Sequence, residues 1–293
     1  MKRSLAVLLV LLAPAAGAQS SSDSKPVFSG SVPNGAWLRV RNHKGDVRVT
    51  ETAGSTATVT ARNRGTSAFD EETKFEVRRD GQNVTICAIT RRTSRCDERG
   101  YSSYGGSDRD YSRTDFIVAL PRGVKLDAST GNGEVDIRNA GAEVAAASGN
   151  GEVNVSGAAG RVRATSGNGD VTVDRADGDV QASSGNGDIR VTTARGPVSA
   201  STGNGGIDVS MSTLSSGDDD MDFNTGNGTI TVAFPSNLSA RVEANGSVRD
   251  FETDFPIQMG RGFSTNHVRG TIGDGSRRIR FSTGNGHIRL KKI

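Results

Sequence analysis

The sequence predicts an all-β fold: a single-stranded β-solenoid with about 18 residues per coil and an irregular N-terminal β cap. Three observations lead to this prediction. A Gly-Asn-Gly triplet recurs at a fixed interval, as at Gly131, Gly149 and Gly167. Apolar residues recur every nine residues, at half that interval, between Val135 and Ile207. The composition includes 38 Gly but only one Trp and three Tyr, which does not suit a large aromatic core. We therefore expect a stack of short strands in which each coil is stabilised by its neighbours.

Residues 1–18 have the features of a secretory signal peptide. A basic Lys2-Arg3 head precedes an apolar stretch, and Ala16-Gly17-Ala18 forms a small-residue cleavage site. No later apolar run reaches the roughly 18 residues that a membrane span needs, so the mature chain is expected to have no transmembrane segment. Removal of residues 1–18 leaves 34 Lys and Arg against 33 Asp and Glu, which gives no argument for a nucleic acid partner. We expect an exported protein that is periplasmic, secreted or at the cell surface.

Residues 19–125 are expected to form the N-terminal cap. Residues 36–52 resemble a degenerate coil, because their apolar positions keep the spacing of nine. Residues 75–89 predict a hairpin that turns at Asp80-Gly81. Residues 114–121 alternate apolar and other side chains and predict a strand that leads into the first regular coil.

The cap contains the only two cysteines of the chain, Cys87 and Cys96. In an exported protein, two cysteines nine residues apart predict a disulfide that closes a short loop. Two free thiols are the alternative. A metal site is disfavoured because no histidine lies nearby to complete it.

Residues 99–114 form the candidate binding loop of the cap. The loop contains all three tyrosines and an arginine among Gly, Ser and Asp: Tyr101, Tyr104, Tyr111 and Arg109. Amphipathic aromatic rings on an adaptable polar background are typical of recognition loops. A polar surface loop without a partner is the alternative.

The repeat domain is expected to span residues 126–293, with the Gly-Asn-Gly triplets as its corners. Such corners need positive φ angles, which Gly adopts freely and Asn tolerates. Stacking would bring the asparagine amides into hydrogen-bonding register. A phosphate-binding loop would need a helix after the glycines, and a calcium-binding nonapeptide would need Asp where this chain has Val or Ile. The predicted corners are Gly131, Asn132, Gly133, Gly149, Asn150, Gly151, Gly167, Asn168, Gly169, Gly185, Asn186, Gly187, Gly203, Asn204 and Gly205.

Each coil divides into two strands of different composition. One has the form Val-x-Ala-x-Ser/Thr and the other Val/Ile-x-Val/Ile, and alternation with period two indicates that these side chains point inward. The small alanines of the first form would let two sheets close into a thin sandwich; they are Ala146, Ala164, Ala182 and Ala200. Residues 277–293 contain a further triplet and are expected to close the stack. Their Arg289, Lys291 and Lys292 are expected to protect an exposed edge strand.

These features together resemble a bacterial family, the putative-adhesin domain of unknown function number 4097. The resemblance rests on "DFIVALPRGVKLDASTGNGEVDI", the serial "SGNGDV" and "SGNGDI" corners, "DFP" at Asp254 and the closing "TGNGHIRLKK". It spans roughly residues 30–293 and implies an exported β-solenoid with an adhesive or envelope-associated role. The family supplies no catalytic residues. This chain departs from the family in its 99–114 loop and in having no evident surface-anchoring signal.

No residue pattern in the chain indicates catalysis or a cofactor. The three histidines are far apart in sequence and lie in no nucleophile motif. One acidic column occupies the same outward position in four successive coils, at Glu134, Glu152, Asp170 and Asp188. Either these side chains splay into solvent or a divalent cation bridges them.

The sequence therefore favours a non-enzymatic adhesin or envelope scaffold that presents a repetitive surface to a protein or glycan. A carbohydrate-active β-helix enzyme and a cation-stabilised structural protein of the periplasm are the alternatives. Pairs of carboxylates on a β-helix can cleave glycosidic bonds, which keeps the first alternative open.

Overall fold

The computed structural model describes residues 26–63, 73–103, 113–193, 195–214, 219–246, 251–260 and 267–293, which form 27 β-strands and no helix. In this part of the chain there is accordingly no helix long and apolar enough to cross a membrane. The prediction of an all-β solenoid is confirmed. The strands stack into two long sheets that face each other across one core.

The strands of sheet A number twelve, and the strands of sheet B number thirteen. In spatial order sheet A contains β1 (Pro26–Ser31), β4 (Thr56–Asn63), β9 (Thr114–Pro121), β3 (Val47–Thr52), β11 (Val135–Ala140), β13 (Val153–Ala158), β15 (Val171–Ala176), β17 (Ile189–Thr193), β19 (Ile207–Met211), β21 (Ile230–Phe234), β27 (Ile288–Lys292) and β23 (Phe251–Thr253). Sheet B contains β24 (Gln258–Met259), β25 (His267–Ile272), β22 (Ala240–Asn245), β26 (Arg277–Asn285), β20 (Met221–Asn227), β18 (Val198–Asn204), β16 (Val180–Asn186), β14 (Val162–Asn168), β12 (Val144–Asn150), β10 (Lys125–Asn132), β2 (Trp37–Lys44), β6 (Asn83–Ile89) and β5 (Lys74–Asp80). A separate hairpin is formed by β7 (Thr93–Asp97) and β8 (Gly100–Ser103).

The core lies between the sheets and is made of the residues that alternate along each strand. Val153, Val162 and Val171 are fully buried. The residues that follow them in their strands, Asn154, Arg163 and Thr172, reach the surface. The alanine column is buried at the centre of sheet B, and it ends where Ala200 lies beside Phe223, which stacks on Phe281 with ring centroids 5.4 Å apart. Larger side chains thus replace alanine in the core toward the C-terminal end of the stack.

The central strands pair in parallel, and each residue lies beside its counterpart in the next coil, as in Val144 with Val162 and Val153 with Val171. The change from sheet B to sheet A occurs at the Gly-Asn-Gly triplets. Only the last glycine of each triplet has a positive φ, between 143° and 153° at Gly133, Gly151, Gly169, Gly187 and Gly205. The first glycine is needed because a Cβ there would lie 2.4–2.6 Å from a carbonyl oxygen one coil away, as at Gly149, Gly167, Gly185 and Gly203.

The asparagine of the triplet does not adopt the positive φ that the sequence analysis allows for Gly and Asn alike. Among the described residues, the non-glycine positions with positive φ are Asn139 and Arg175, which lie outside the triplets. The asparagine instead ends a strand and contributes its side chain. Its Nδ2 donates to the Oδ1 of the asparagine one coil away over 2.7–2.8 Å, which makes an amide ladder of Asn132, Asn150, Asn168, Asn186, Asn204, Asn227 and Asn285.

At the N-terminal end, the stacking order differs from the chain order. Strands β2 and β3 form the first coil, and they lie between β6 and β9 on one side and β10 and β11 on the other. The chain therefore completes a coil outside its first one before it crosses over and begins the regular repeat. The sequence analysis divides the cap from the repeat between residues 125 and 126, at the start of β10. Strand β10 pairs with β2 on one side and with β12 on the other, within one continuous sheet.

At the C-terminal end, the expectation that the last coil closes the stack is wrong. Strands β26 and β27 lie inside the stack, between β20 and β21 on one side and β22 and β23 on the other. Strand β27 is consequently not an edge strand, and Arg289 pairs with Glu252 of β23 at 3.1 Å. The outer strands at this end are β23 and β24, which are short.

Candidate functional site

The hairpin β7–β8 covers the outer face of sheet B at its N-terminal end. Strand β6 pairs with β2 so that Cys87 lies beside Arg41, and both alternate with core residues. A disulfide joins Cys87 to Cys96 of β7, and both cysteines are buried. From the edge strand β5, Arg78 donates a 2.7 Å hydrogen bond to the carbonyl of Cys96. The hairpin is thus held on the sheet by one covalent bond and by at least one side chain.

Arg41 is a second attachment point for the hairpin. Its side chain is 4% exposed, and its two terminal nitrogens contact the two carboxylate oxygens of Asp127 at 2.5 Å. It also donates to the carbonyl oxygens of Asp97 and Glu98 in the hairpin turn, at 3.4 and 3.2 Å. Because a buried guanidinium is costly unless charge and hydrogen bonds satisfy it, these contacts fix the turn relative to β10.

The structure describes only one residue of the tyrosine set that the sequence analysis assigns to binding. The Tyr101 hydroxyl lies 2.8 Å from Thr93 Oγ1, and its ring centroid lies 5.7 Å from that of His43. Tyr101 therefore packs the hairpin against sheet B through His43, and its side chain stays partly exposed. The other three residues, Tyr104, Arg109 and Tyr111, lie outside the described residues.

An open groove of about 370 Å³ lies between the hairpin and sheet B, and we call it the hairpin groove. Arg99 and Tyr101 line it from the hairpin, and Ser129 and Ala147 line it from the sheet. Strand β8, whose Tyr101 lines the groove, ends at Ser103, and residues 104–112 lie outside the described residues.

A second groove, of about 480 Å³, lies on the same face of sheet B and begins at the next strand; we call it the sheet groove. Its lining combines small side chains such as Ser201 with larger polar side chains at its two ends along the stack. At one end Arg163 donates to Gln181 at 3.4 Å. At the other end Arg280 lies 3.9 Å from Asp222. The sheet groove thus offers hydroxyl, amide, carboxylate and guanidinium groups along one surface.

The sequence analysis missed the sheet groove because it followed the inward-facing residues. The groove is built from the other half of the alternation, whose identities vary from coil to coil. One signal was present in the sequence: the second outward position of the Val-x-Ala-x-Ser/Thr strands is always small. These residues pair in register as Ser129, Ala147, Thr165, Ser183 and Ser201.

The acidic column is placed at the corners, where two of its aspartates accept backbone hydrogen bonds. Asp170 Oδ1 accepts from the N–H of Asp188 at 2.8 Å, and Asp188 Oδ1 accepts from the N–H of Gly206 at 2.7 Å. Asp46, one coil before Glu134, accepts from the Glu134 N–H at 3.1 Å. Within the described ranges, no group of three or more His, Cys, Asp or Glu residues is arranged to hold a metal ion. These aspartates thus satisfy backbone donors at the corners.

The histidines lie at different places in the fold. His43 is in β2 beside Tyr101, near the N-terminal end of sheet B. His267 is in β25 near the other end, with Nδ1 2.7 Å from Asn245 Oδ1. His287 follows the last triplet, at the corner between β26 and β27.

Comparison with known proteins identifies a family and two similar structures. The family model described as Toastrack DUF4097 matches residues 37–291. A crystal structure described as a "putative cell adhesion protein" from Clostridium sporogenes is 13% identical, with a TM-score of 0.31, and the match covers 92% of this chain and 100% of that one. Another, described as a "putative adhesin" from Bacteroides fragilis, is 11% identical, with a TM-score of 0.41, and the match covers 91% and 95% of the two chains. No curated protein matches the sequence.

Proposed function

Because this chain belongs to the Toastrack DUF4097 family, we propose that it is an exported, non-enzymatic binding protein of the cell envelope, an adhesin-like scaffold whose ligand binds the outer face of sheet B. The observation that carries this proposal is the hairpin β7–β8. A disulfide and Arg41 hold it on that face, where it frames the hairpin groove. In the sequence, the hairpin is followed by the segment that contains Tyr104, Arg109 and Tyr111. The proposal of export rests on the signal-peptide features of residues 1–18.

The polar lining of the two grooves suits a glycan as the ligand. Among the described residues, the exposed large apolar side chains are Val77, Ile117, Met259 and Ile293, and none of them lines either groove. Planar polar groups such as those of Gln181, Asp222 and Arg280 match the donors and acceptors of sugar hydroxyls.

The repeat of outward side chains across the stacked strands also suits a linear polymer. Strands in a sheet are about 4.8 Å apart, so outward residues in equivalent positions repeat along the stack at that interval. The hairpin groove reaches β12, and the sheet groove begins at β14, which pairs with β12. A chain of sugars that crosses the strands would meet a new set of polar side chains at each step.

The test is a pair of matched substitutions on the two outer faces. Ser201→Tyr places a large side chain in the sheet groove, whereas Thr192→Tyr places the same side chain on the exposed face of sheet A. Both positions are exposed strand positions, so neither change should alter the free energy of unfolding by more than about 0.5 kcal/mol. We expect Ser201→Tyr to abolish binding to the envelope glycan that a glycan array identifies, and Thr192→Tyr to bind like the parent protein.

A third variant separates the loop from the sheet. Tyr104→Ser with Tyr111→Ser leaves Tyr101 in place, because the structure gives Tyr101 a packing role. Loss of binding in this variant alone would place the ligand on the loop. Equal binding by all three variants would contradict a site on this face of the molecule. Shortening of the bound glycan by the purified protein would contradict the non-enzymatic proposal and favour the carbohydrate-active alternative.

A further inference from the structure

The chain contains nine Asn-Gly dipeptides, and seven of them lie at the Gly-Asn-Gly corners. Asn-Gly is chemically labile. The backbone nitrogen of the glycine attacks the side-chain carbonyl carbon of the asparagine, a C–N bond forms, and the amide nitrogen leaves as ammonia. Water then opens the cyclic imide to aspartate or isoaspartate. Glycine favours the reaction because it has no Cβ to hinder the approach of its nitrogen.

In the centre of the stack, hydrogen bonds occupy both reacting groups, the glycine N–H and the asparagine side-chain amide. The N–H of Gly151 donates to the carbonyl of Asn168 at 2.9 Å, and the N–H of Gly169 donates to the carbonyl of Asn186 at 2.9 Å. The side-chain amides on the same column are bonded to one another through the ladder. Attack by the glycine nitrogen would require the chain to break bonds on both groups and to leave the extended conformation.

Asn245 has the same dipeptide but not the same surroundings. Its registered neighbours are Ser282 on β26 and His267 on β25, so neither adjacent strand offers an asparagine for the ladder. The following Gly246 is also less confined. A Cβ added there would lie 3.5 Å from its nearest neighbour, Thr283, whereas at Gly169 it would lie 2.4 Å from a carbonyl oxygen.

We propose that Asn245 is a deamidation site of the folded protein and that the amide ladder protects Asn150, Asn168 and Asn186 from the same reaction. Asn245 also differs from the ladder asparagines in that its Oδ1 contacts a histidine, His267, through Nδ1. When Nδ1 carries the proton, it donates to Oδ1 and polarises the carbonyl that the Gly246 nitrogen attacks. Asn245 lines the sheet groove, so its conversion adds a negative charge to the wall of that groove.

The experiment follows deamidation in the intact purified protein. The protein is incubated in a mildly alkaline buffer, sampled over time and digested, and the amide-to-acid conversion of each Asn-Gly peptide is measured by mass spectrometry. We expect Asn245 to convert more than about tenfold faster than Asn150, Asn168 and Asn186, a ratio that corresponds to about 1.4 kcal/mol in the activation free energy. Incubation in a denaturing concentration of urea serves as the control, because unfolding removes both the ladder and the β22 contacts.

The urea control makes the proposal specific to the fold. In the unfolded chain the four asparagines should convert at similar rates, since glycine follows each of them. Similar rates in the folded protein would overturn the proposal, as would faster conversion at a ladder asparagine. A rate advantage of Asn245 that persists in urea would also overturn it, because the cause would then be the local sequence. None of these outcomes depends on whether the protein binds a glycan.

Discussion

At the scale of single residues, the Gly-Asn-Gly triplet combines three separate requirements. The first glycine leaves space for a neighbouring carbonyl, and the asparagine supplies the ladder. The last glycine turns the chain with a positive φ and also leaves space for a carbonyl. The sequence predicted a corner and an aligned amide column from the regular spacing of the triplets. It could not predict which residue has the positive φ, because both Gly and Asn tolerate that region.

A second residue-scale feature escaped the sequence analysis. The Ser or Thr before each triplet points inward, and its hydroxyl donates to the carbonyl of the last glycine one coil away, as Ser166 does to Gly151 at 2.8 Å. The same bond is made by Thr202 to Gly187 at 2.9 Å. In the sequence, these Ser and Thr residues occupy inward positions of the alternating pattern, so they were interpreted only as core residues. Their function becomes visible only when the neighbouring coil supplies the acceptor.

The two glycine requirements can be separated by a matched pair of substitutions. Gly169→Ala and Gly246→Ala both place a Cβ at a residue with positive φ, at 147° and 156°. Only Gly169→Ala brings that Cβ within 2.4 Å of a backbone carbonyl oxygen. We therefore expect Gly169→Ala to lower the free energy of unfolding by about 2 kcal/mol more than Gly246→Ala, because backbone cannot yield as a side chain does. Urea unfolding measures the difference, and equal losses would show that φ alone demands glycine at the corner.

At the scale of elements, the disulfide and Arg41 define how the hairpin β7–β8 meets sheet B. The cysteine spacing and the signal peptide expected at residues 1–18 favoured a Cys87–Cys96 pair. They were not sufficient to predict that the resulting loop lies over the outer face of a sheet. That placement depends on the pairing of β6 with β2, which joins residues far apart in the chain, such as Leu38 and Val84. Pairing of this kind leaves no local signal in the sequence.

The disulfide prediction can be tested directly. Thiol labelling of the unreduced, denatured exported protein should detect no free cysteine, and two labelled thiols would contradict the pairing. We expect the Cys87→Ala, Cys96→Ala double variant to lose about 2–3 kcal/mol in the free energy of unfolding, since the bond closes a short loop in the unfolded chain. Because Arg41 and Arg78 also hold the hairpin, the variant should still fold with the same β signal in circular dichroism. Complete loss of that signal would show that the other contacts cannot position the hairpin alone.

At the scale of the whole molecule, both ends of the solenoid are interleaved. The first coil of the chain lies inside the outer coil formed by β6 and β9, and the last coil lies inside the one that contains β22 and β23. The sequence could predict the repeat but not this order, because one coil of matching columns packs on another equally well in either order. The consequence is that both terminal coils are paired on two sides. The outermost positions are left to antiparallel or short strands at both ends, namely β1, β5, β23 and β24.

The central coils, in contrast, stack in chain order and should be interchangeable. Deletion of residues 148–165 would join Ala147 to Ser166, which is the registered partner of Ser148, so the inward columns and the amide ladder would continue. Deletion of residues 148–156 would instead join a strand of sheet B to the end of a strand of sheet A. We expect the first variant to fold with a smaller m-value in urea, because less surface is exposed on unfolding, and the second to lose its cooperative transition. Equal loss of β signal and of melting temperature in the two variants would contradict the complete two-strand coil as the structural unit.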